Sequence, residues 1–358
     1  MKVRLVIAAS AVALQVLALG FMAGQREVVL HTGQRIWLRT APVDPRDKMR
    51  GDYVRLRYDI SEVPRELWRG GLEARFAART EVYSRHRNHR DLPVYATLRN
   101  GEAGVAELVS LSDERPAGGL FLAGRVNYLD GDLLLVRYGV EAMFTEQGKA
   151  QRIEDARLQE RPGNPLNTEV AVNAAGLAVL RGYRWEPLGL AATFERVTMP
   201  AETNPDGAPR RAGRQFIRRV KLELKNHGPE DVAVVDLSGG GSWRLVPNER
   251  LRAGAHYRWS GVGETAAKPT AADVILLKPG EVRTMFVDLM EPRWFVADTR
   301  KPDSPPIPLR DAQEGWFGSF RLEYAPPAKA DVAGLPHADL IRHGRLVTRA
   351  FNATVTMD

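Results

Sequence analysis

The chain is 358 residues long, 44% hydrophobic and 27% charged, with a formal net charge of +7 and no cysteine. Such a composition is globular, and the missing cysteines exclude a disulfide framework, a thiolate metal site and a cysteine nucleophile. The thin basic excess is interleaved with Glu rather than gathered into a stripe, which argues against nucleic acid as a partner.

Met1–Arg4 carries two cations, and an apolar run follows from Leu5 to Gly24, interrupted only by Ser10 and Gln15. About twenty residues at ~1.5 Å each match a bilayer core of ~30 Å. The end of the run, Leu19-Gly20-Phe21-Met22-Ala23-Gly24, has no A-x-A cleavage pattern. The reading is therefore a retained single-pass anchor over residues 1–24 rather than a cleaved signal. Lys2 and Arg4 would place the N-terminus in the cytoplasm and the bulk of the chain outside it, in the periplasm of a bacterial cell.

Strand-like runs follow. Arg35–Thr40 leads into a turn rich in proline and charge, and then Tyr53–Ile60 alternates, with Val54, Leu56 and Tyr58 on one face and Tyr53, Arg55 and Arg57 on the other. Ser61 is placed to cap a short helix through Leu67 and Trp68, stopped at Gly70-Gly71, with a second helix possible over Glu73–Val82. Further strands are predicted at 92–99, 104–111, 120–128, 132–144 and 169–180, separated by Asn100-Gly101, Gly118-Gly119 and Asp130-Gly131. Residues 196–215, dense in Pro, Gly and Arg, read as a linker between a β-rich domain (25–195) and a second domain (216–358). In the latter, runs at 220–225, 231–237, 274–277, 282–290, 320–324 and 351–357 predict an immunoglobulin-like β-sandwich. The fold class is thus mainly β, behind an N-terminal transmembrane helix.

Functional groups are densest at Asp44-Pro45-Arg46-Asp47-Lys48-Met49-Arg50-Gly51-Asp52-Tyr53. Carboxylates in such a cluster can do acid–base work or hold a cation, but Asp, Pro and Gly also build turns and Arg pairs with Asp. His86 and His89 are spaced for metal, yet Arg85, Arg87 and Arg90 surround them and a solvated loop is the better reading. Gly239-Gly240-Gly241 lies between strands and does not open a helix, so it is no phosphate cradle. No metal, cofactor or catalytic residue is assigned.

Gly51-Asp52-Tyr53-Val54-Arg55-Leu56-Arg57-Tyr58 matches in full the pattern Gly, Asp, Tyr, two free positions, Leu, one free position, Tyr. With the lead-in Asp44, Pro45, Arg46, Asp47 and Arg50, it resembles the signature of the bacterial GDYXXLXY family. A second similar patch carries Tyr138, Gly139, Glu141, Glu146 and Glu154, and a third runs over 169–180, so the resemblance spans about 25–190. It implies an N-terminal apolar segment, an extracytoplasmic remainder and a link to polytopic membrane proteins, and it implies no activity.

Together these point to a membrane-anchored extracytoplasmic binding or scaffold protein, in the cytoplasmic membrane, working with an integral membrane protein. The alternative is a degenerate signal-peptidase-like or carboxylate-using hydrolase. Signal peptidases need a serine nucleophile at the turn, where this chain has Asp44 and Asp47, so such a relative would be inactive or use carboxylates.

Overall fold

A computed structural model of the chain describes residues 2–40, 53–77, 91–101, 104–130, 133–146, 148–156, 164–199, 214–247, 257–260, 268–298, 303–309, 319–352 and 354–356. The described chain is mostly strand, behind one long N-terminal helix. It divides into two compact units. The first holds 1–129, 134–150 and 166–184, and the second holds 130–133, 151–165 and 185–358.

Helix α1 covers Lys2–Thr32. It runs eight residues beyond the apolar stretch expected to end at Gly24. The physical reason is packing: Val29 is buried against Ala171 and Val179, with Leu30 and Leu177 around them. The last turn is closed by Thr32 Oγ1 donating to the Val28 carbonyl at 2.8 Å and by Gly33 N–H donating to the Val29 carbonyl at 2.8 Å. Ser10–Thr32 is long and apolar enough to cross a membrane, with Leu14, Leu17, Leu19 and Phe21 all exposed.

The strands of the first unit are β1 (Gln34–Arg39), β2 (Tyr53–Arg55), β3 (Glu62–Pro64), β4 (Trp68–Arg69), β5 (Pro93–Asn100), β6 (Ala106–Ser112), β7 (Phe121–Asp130), β8 (Leu133–Arg137), β9 (Ala142–Phe144), β10 (Leu166–Val172) and β11 (Ala178–Trp185). Six form one sheet in the order β3-β8-β7-β5-β6-β4, three form β1-β10-β11, and β2 pairs with β9. Alternation decides which side chains enter the core: Val94, Ala96 and Leu98 are buried on β5, and Ile36 and Leu38 on β1. Gly124 on β7 lies so close to the next strand that a Cβ there would meet Val136 Cγ1 at 2.8 Å and the Arg137 carbonyl at 2.9 Å.

Three expectations for this unit are corrected. The run 132–144 is two strands in different sheets, because Gly139 turns the chain between them with φ at +80°. The run 169–180 is also two strands, β10 and β11, which are neighbours in one sheet and joined by a turn at 173–177. Ser61 does not cap an α-helix. It ends a 3-10 turn (Asp59–Ser61), and the segment to Arg69 alternates short strands with 3-10 turns, before helix α2 (Leu72–Ala77). Trp68 decides that path: its indole is buried and donates to the Val63 carbonyl at 3.0 Å.

In the second unit the strands are β12 (Leu188–Met199), β13 (Arg214–Asn226), β14 (Val232–Val235), β15 (Trp243–Pro247), β16 (Tyr257–Ser260), β17 (Val274–Leu277), β18 (Val282–Asp288), β19 (Phe295–Asp298), β20 (Ile307–Pro308), β21 (Ser319–Tyr324), β22 (Phe351–Asn352) and β23 (Thr354–Thr356). One sheet runs β12-β13-β18, with β23 also on β13, and another runs β15-β21-β22. They share a core: Leu190, Val220, Leu222 and Val287 from the first meet Trp243, Leu245, Phe320 and Leu322 from the second. Residues 196–199 and 214–215, expected in the linker, instead belong to a long antiparallel pair running from Leu188↔Asn226 to Met199↔Arg214. Buried Leu188 and Leu190 extend the alternating pattern of β13 to its neighbour, so the division between units falls after Arg184 rather than near 195.

Candidate functional site

Of the motif residues, Asp44, Pro45, Arg46, Asp47, Arg50, Gly51 and Asp52 lie outside the described residues, as do His86 and His89. Tyr53 opens β2 opposite Phe144, and Val54 and Arg55 follow opposite Met143 and Ala142. Beyond Arg55 the strand gives way to single contacts. Leu56 N–H donates to the Glu141 carbonyl at 2.8 Å, and Tyr58 bridges Thr40. Leu56 and Tyr58 are buried, as the alternation predicts, while Arg55 and Arg57 are exposed and Arg57 pairs with Glu62.

The structure brings the two motif patches together through a reciprocal exchange. Tyr58 Oη donates to the Val140 carbonyl at 2.7 Å, and Tyr138 Oη donates to the Ile60 carbonyl at 2.8 Å. Each phenol thus satisfies a backbone acceptor two residues from the other tyrosine. Thr168 on β10 donates weakly to Tyr58 Oη at 3.4 Å. The turn that presents Tyr138 is held by Glu141, whose carboxylate accepts from the backbone N–H of Tyr138 and, at 2.9 Å, of Gly139. Glu146 lies apart from this: its carbonyl accepts from Lys149 N–H at 3.0 Å and opens helix α3 (Lys149–Asp155), which carries Glu154.

Burial pushes both phenols well above the usual tyrosine range. For Tyr58 the Thr168 bond opposes this and the Glu141 charge adds to it; for Tyr138 the Glu141 charge adds to it. Both side chains are therefore neutral donors at physiological pH, with their protons committed to carbonyl oxygens. Leu56 N–H, Tyr58, Tyr138, Gly139 and Glu141 are thus joined by one set of hydrogen bonds. Among the described residues, no group of three or more His, Asp or Glu is placed to hold a metal ion.

A second cluster carries no sequence signature. In the second unit Arg342 pairs with Glu186 at 2.5 Å, with side-chain exposures of only 9% and 2%. Tyr324 Oη accepts from Val235 N–H at 2.9 Å, and burial pushes this phenol up to about 12, with Val235 opposing, Asp236 adding and Arg342 opposing. Burial also raises the Asp236 carboxyl; Arg283 opposes that shift and Asp273 adds to it. Glu186 and Arg342 are far apart in the chain, so spacing could not have revealed the pair.

The first unit is thus a β-rich module against which the last turn of a long apolar helix packs, and its motif strand is clasped by a second tyrosine patch. The model of the GDYXXLXY protein family matches residues 15–182, and this part of the chain belongs to that family. The matched stretch ends two residues before the first unit does, and it also takes in 130–133 and 151–165 of the second unit. Neither a curated protein nor a solved structure matches the chain.

Proposed function

We propose that this is a membrane-anchored extracytoplasmic scaffold or binding protein that works beside an integral membrane partner, its second unit a β-sandwich that presents the binding surface. The observation that carries this reading is the use to which the family motif is put. Leu56 and Tyr58 are spent in the core and on a carbonyl, so the described part of the motif builds a module rather than a reacting centre. α1 supports the anchor, being long and apolar enough to span a bilayer, and the cations Lys2 and Arg4 favour an N-in orientation in a bacterial cytoplasmic membrane.

The test is made in bacterial cells. A phosphatase reporter fused after Asp358, active only outside the cytoplasm, is expected to be active, and the chain is expected to resist carbonate extraction. Solubilisation in mild detergent is expected to retain a multi-spanning protein in a defined ratio, and that ratio should be lost when α1 is replaced by an unrelated membrane span. A carbonate-soluble chain beginning near Gln25 would overturn the anchor, and a chain that purifies alone would overturn the scaffold.

A further inference from the structure

The last turn of α1 packs on the turn end of the β10–β11 hairpin. Val29 meets Ala171 and Val179, Leu30 and Leu177 pack against them, and a Cβ on Gly33 would stand 2.9 Å from Val172 N. All of these lie next to the turn at 173–177. That turn is therefore at the level where the helix leaves the protein, and on the anchor reading this is the level of the membrane surface.

Its chemistry is unusual for a solvent turn, where Asn, Asp, Gly and Ser normally predominate at the tip. Here the tip is Ala174-Ala175, both exposed. Its backbone is largely satisfied from within. Asn173 Oδ1 accepts from Ala175 N–H at 2.9 Å and from Leu177 N–H at 3.0 Å. Gly176 N–H donates to the Asn173 carbonyl at 2.9 Å, and Asn173 N–H to the Leu177 carbonyl at 3.1 Å. The Ala174 carbonyl accepts from Arg115 Nη2 at 2.9 Å, and the Gly176 carbonyl from Ala123 N–H at 2.9 Å. Gly176 itself has φ at +79°, and a Cβ there would stand 2.6 Å from Phe121, so the compact form of the turn is specific to glycine. A turn with its polar groups already paired does not need water and can enter a less polar layer at small cost. One cation flanks it: Arg115 reaches the tip, whereas Arg181 donates to the Leu30 carbonyl at the helix end and pairs with Glu169 at 3.8 Å.

We propose that the 173–177 turn is a second membrane contact: it rests its alanine tip in the phospholipid headgroup layer beside α1, with Arg115 facing lipid phosphate. This rests on the anchor reading. The two contacts together fix the tilt of the first unit on the bilayer, which a single helix on a slack tether would leave free.

The absence of cysteine makes a single introduced thiol unique in the full chain. An environment-sensitive fluorophore is attached in turn at Ala175→Cys, Leu14→Cys and Tyr128→Cys, and the protein is reconstituted in phosphatidylethanolamine–phosphatidylglycerol vesicles. Tyr128 serves as the distant site, since β7 carries it about 23 Å along the strand from Phe121. The label at 175 is expected to be quenched at least about twofold more than that at 128 by spin-labelled headgroups, and to be shielded from aqueous iodide. The label at 14 is expected to be quenched by spin labels deep in the acyl chains. Deep quenching at 14 with equal quenching at 175 and 128 would overturn the second contact and leave the anchor standing. No quenching at 14 would overturn the anchor and this inference with it.

Discussion

Tyr58 and Tyr138 each place a phenol proton on a carbonyl oxygen beside the other, across 82 and 78 residues of chain. Removing either hydroxyl leaves a buried acceptor without its donor, which costs about 1–3 kcal/mol. Tyr58→Phe and Tyr138→Phe are expected to lower stability by that amount in denaturant titrations. Because both bonds tie the same two segments, the double variant is expected to lose less than the sum, with a coupling of roughly 0.5–3 kcal/mol. Strict additivity would mean that the two bonds act independently. The same phenols make an alkaline prediction. Their folded-state affinity for protons is raised, so the stability they contribute is fully present below the unfolded tyrosine pKa of about 10 and is lost as pH rises through their higher folded values. Tyrosinate absorbance from these residues is expected to appear only with unfolding, above about pH 10. A variant with both tyrosines replaced by Phe should show a shallower loss of stability over that range.

At the scale of the element, the neighbours of the motif strand do what strand pairing does not. Among the described residues Tyr53–Arg55 pair in β2, yet Leu56 is buried beyond them and its N–H reaches across to the Glu141 carbonyl. Leu56→Ala is therefore expected to cost about 2–5 kcal/mol, read as a lowered melting temperature. The Glu186–Arg342 pair makes a different kind of claim. Arg342→Met removes the cation paired with the buried Glu186 carboxylate and is expected to cost about 3–5 kcal/mol, whereas replacing both residues with apolar ones is expected to be nearly neutral. Equal losses in the two variants would show that the pair itself, rather than the charge left behind, sets the cost. These elements differ in how far they could be read from sequence. Leu56 and Tyr58 were legible because period-two alternation reports burial directly, and 274–277 was bounded by turn chemistry on its C-terminal side. Tyr138 was found through the family pattern, but its bond to the Ile60 carbonyl was not, because hydrogen bonds between distant segments leave no local periodicity. That 196–199 and 214–215 lie in paired strands rather than in a linker is hidden from the sequence for a related reason. Pro, Gly and Arg mark an irregular connection, but they do not say whether it joins two domains or two arms of one hairpin.

For the whole molecule, that hairpin alters what a chain break would do. The arginines at 210 and 211 stand in the most Pro-, Gly- and Arg-dense stretch of the sequence and are the expected first targets of trypsin. Both flanking strands belong to the second unit and pair along their whole length, so the nicked fragments are expected to co-migrate on a native gel and to separate only in denaturant. Fragments that part on the native gel would show that the pairing does not hold them. The strand that follows the anchor carries one more consequence, in time rather than in space. β1 leaves α1 at Gln34, but its partner on β10 begins with Val172, about 140 residues later. At roughly 5–20 residues per second of synthesis, the first strand waits on the order of seven to thirty seconds for the chain that completes it. Through that interval its edge is open and already tied to the helix that precedes it. A ribosome that stalls before residue 166 would leave every nascent copy exposing the same unpaired strand, and chaperone demand should peak in that window of translation.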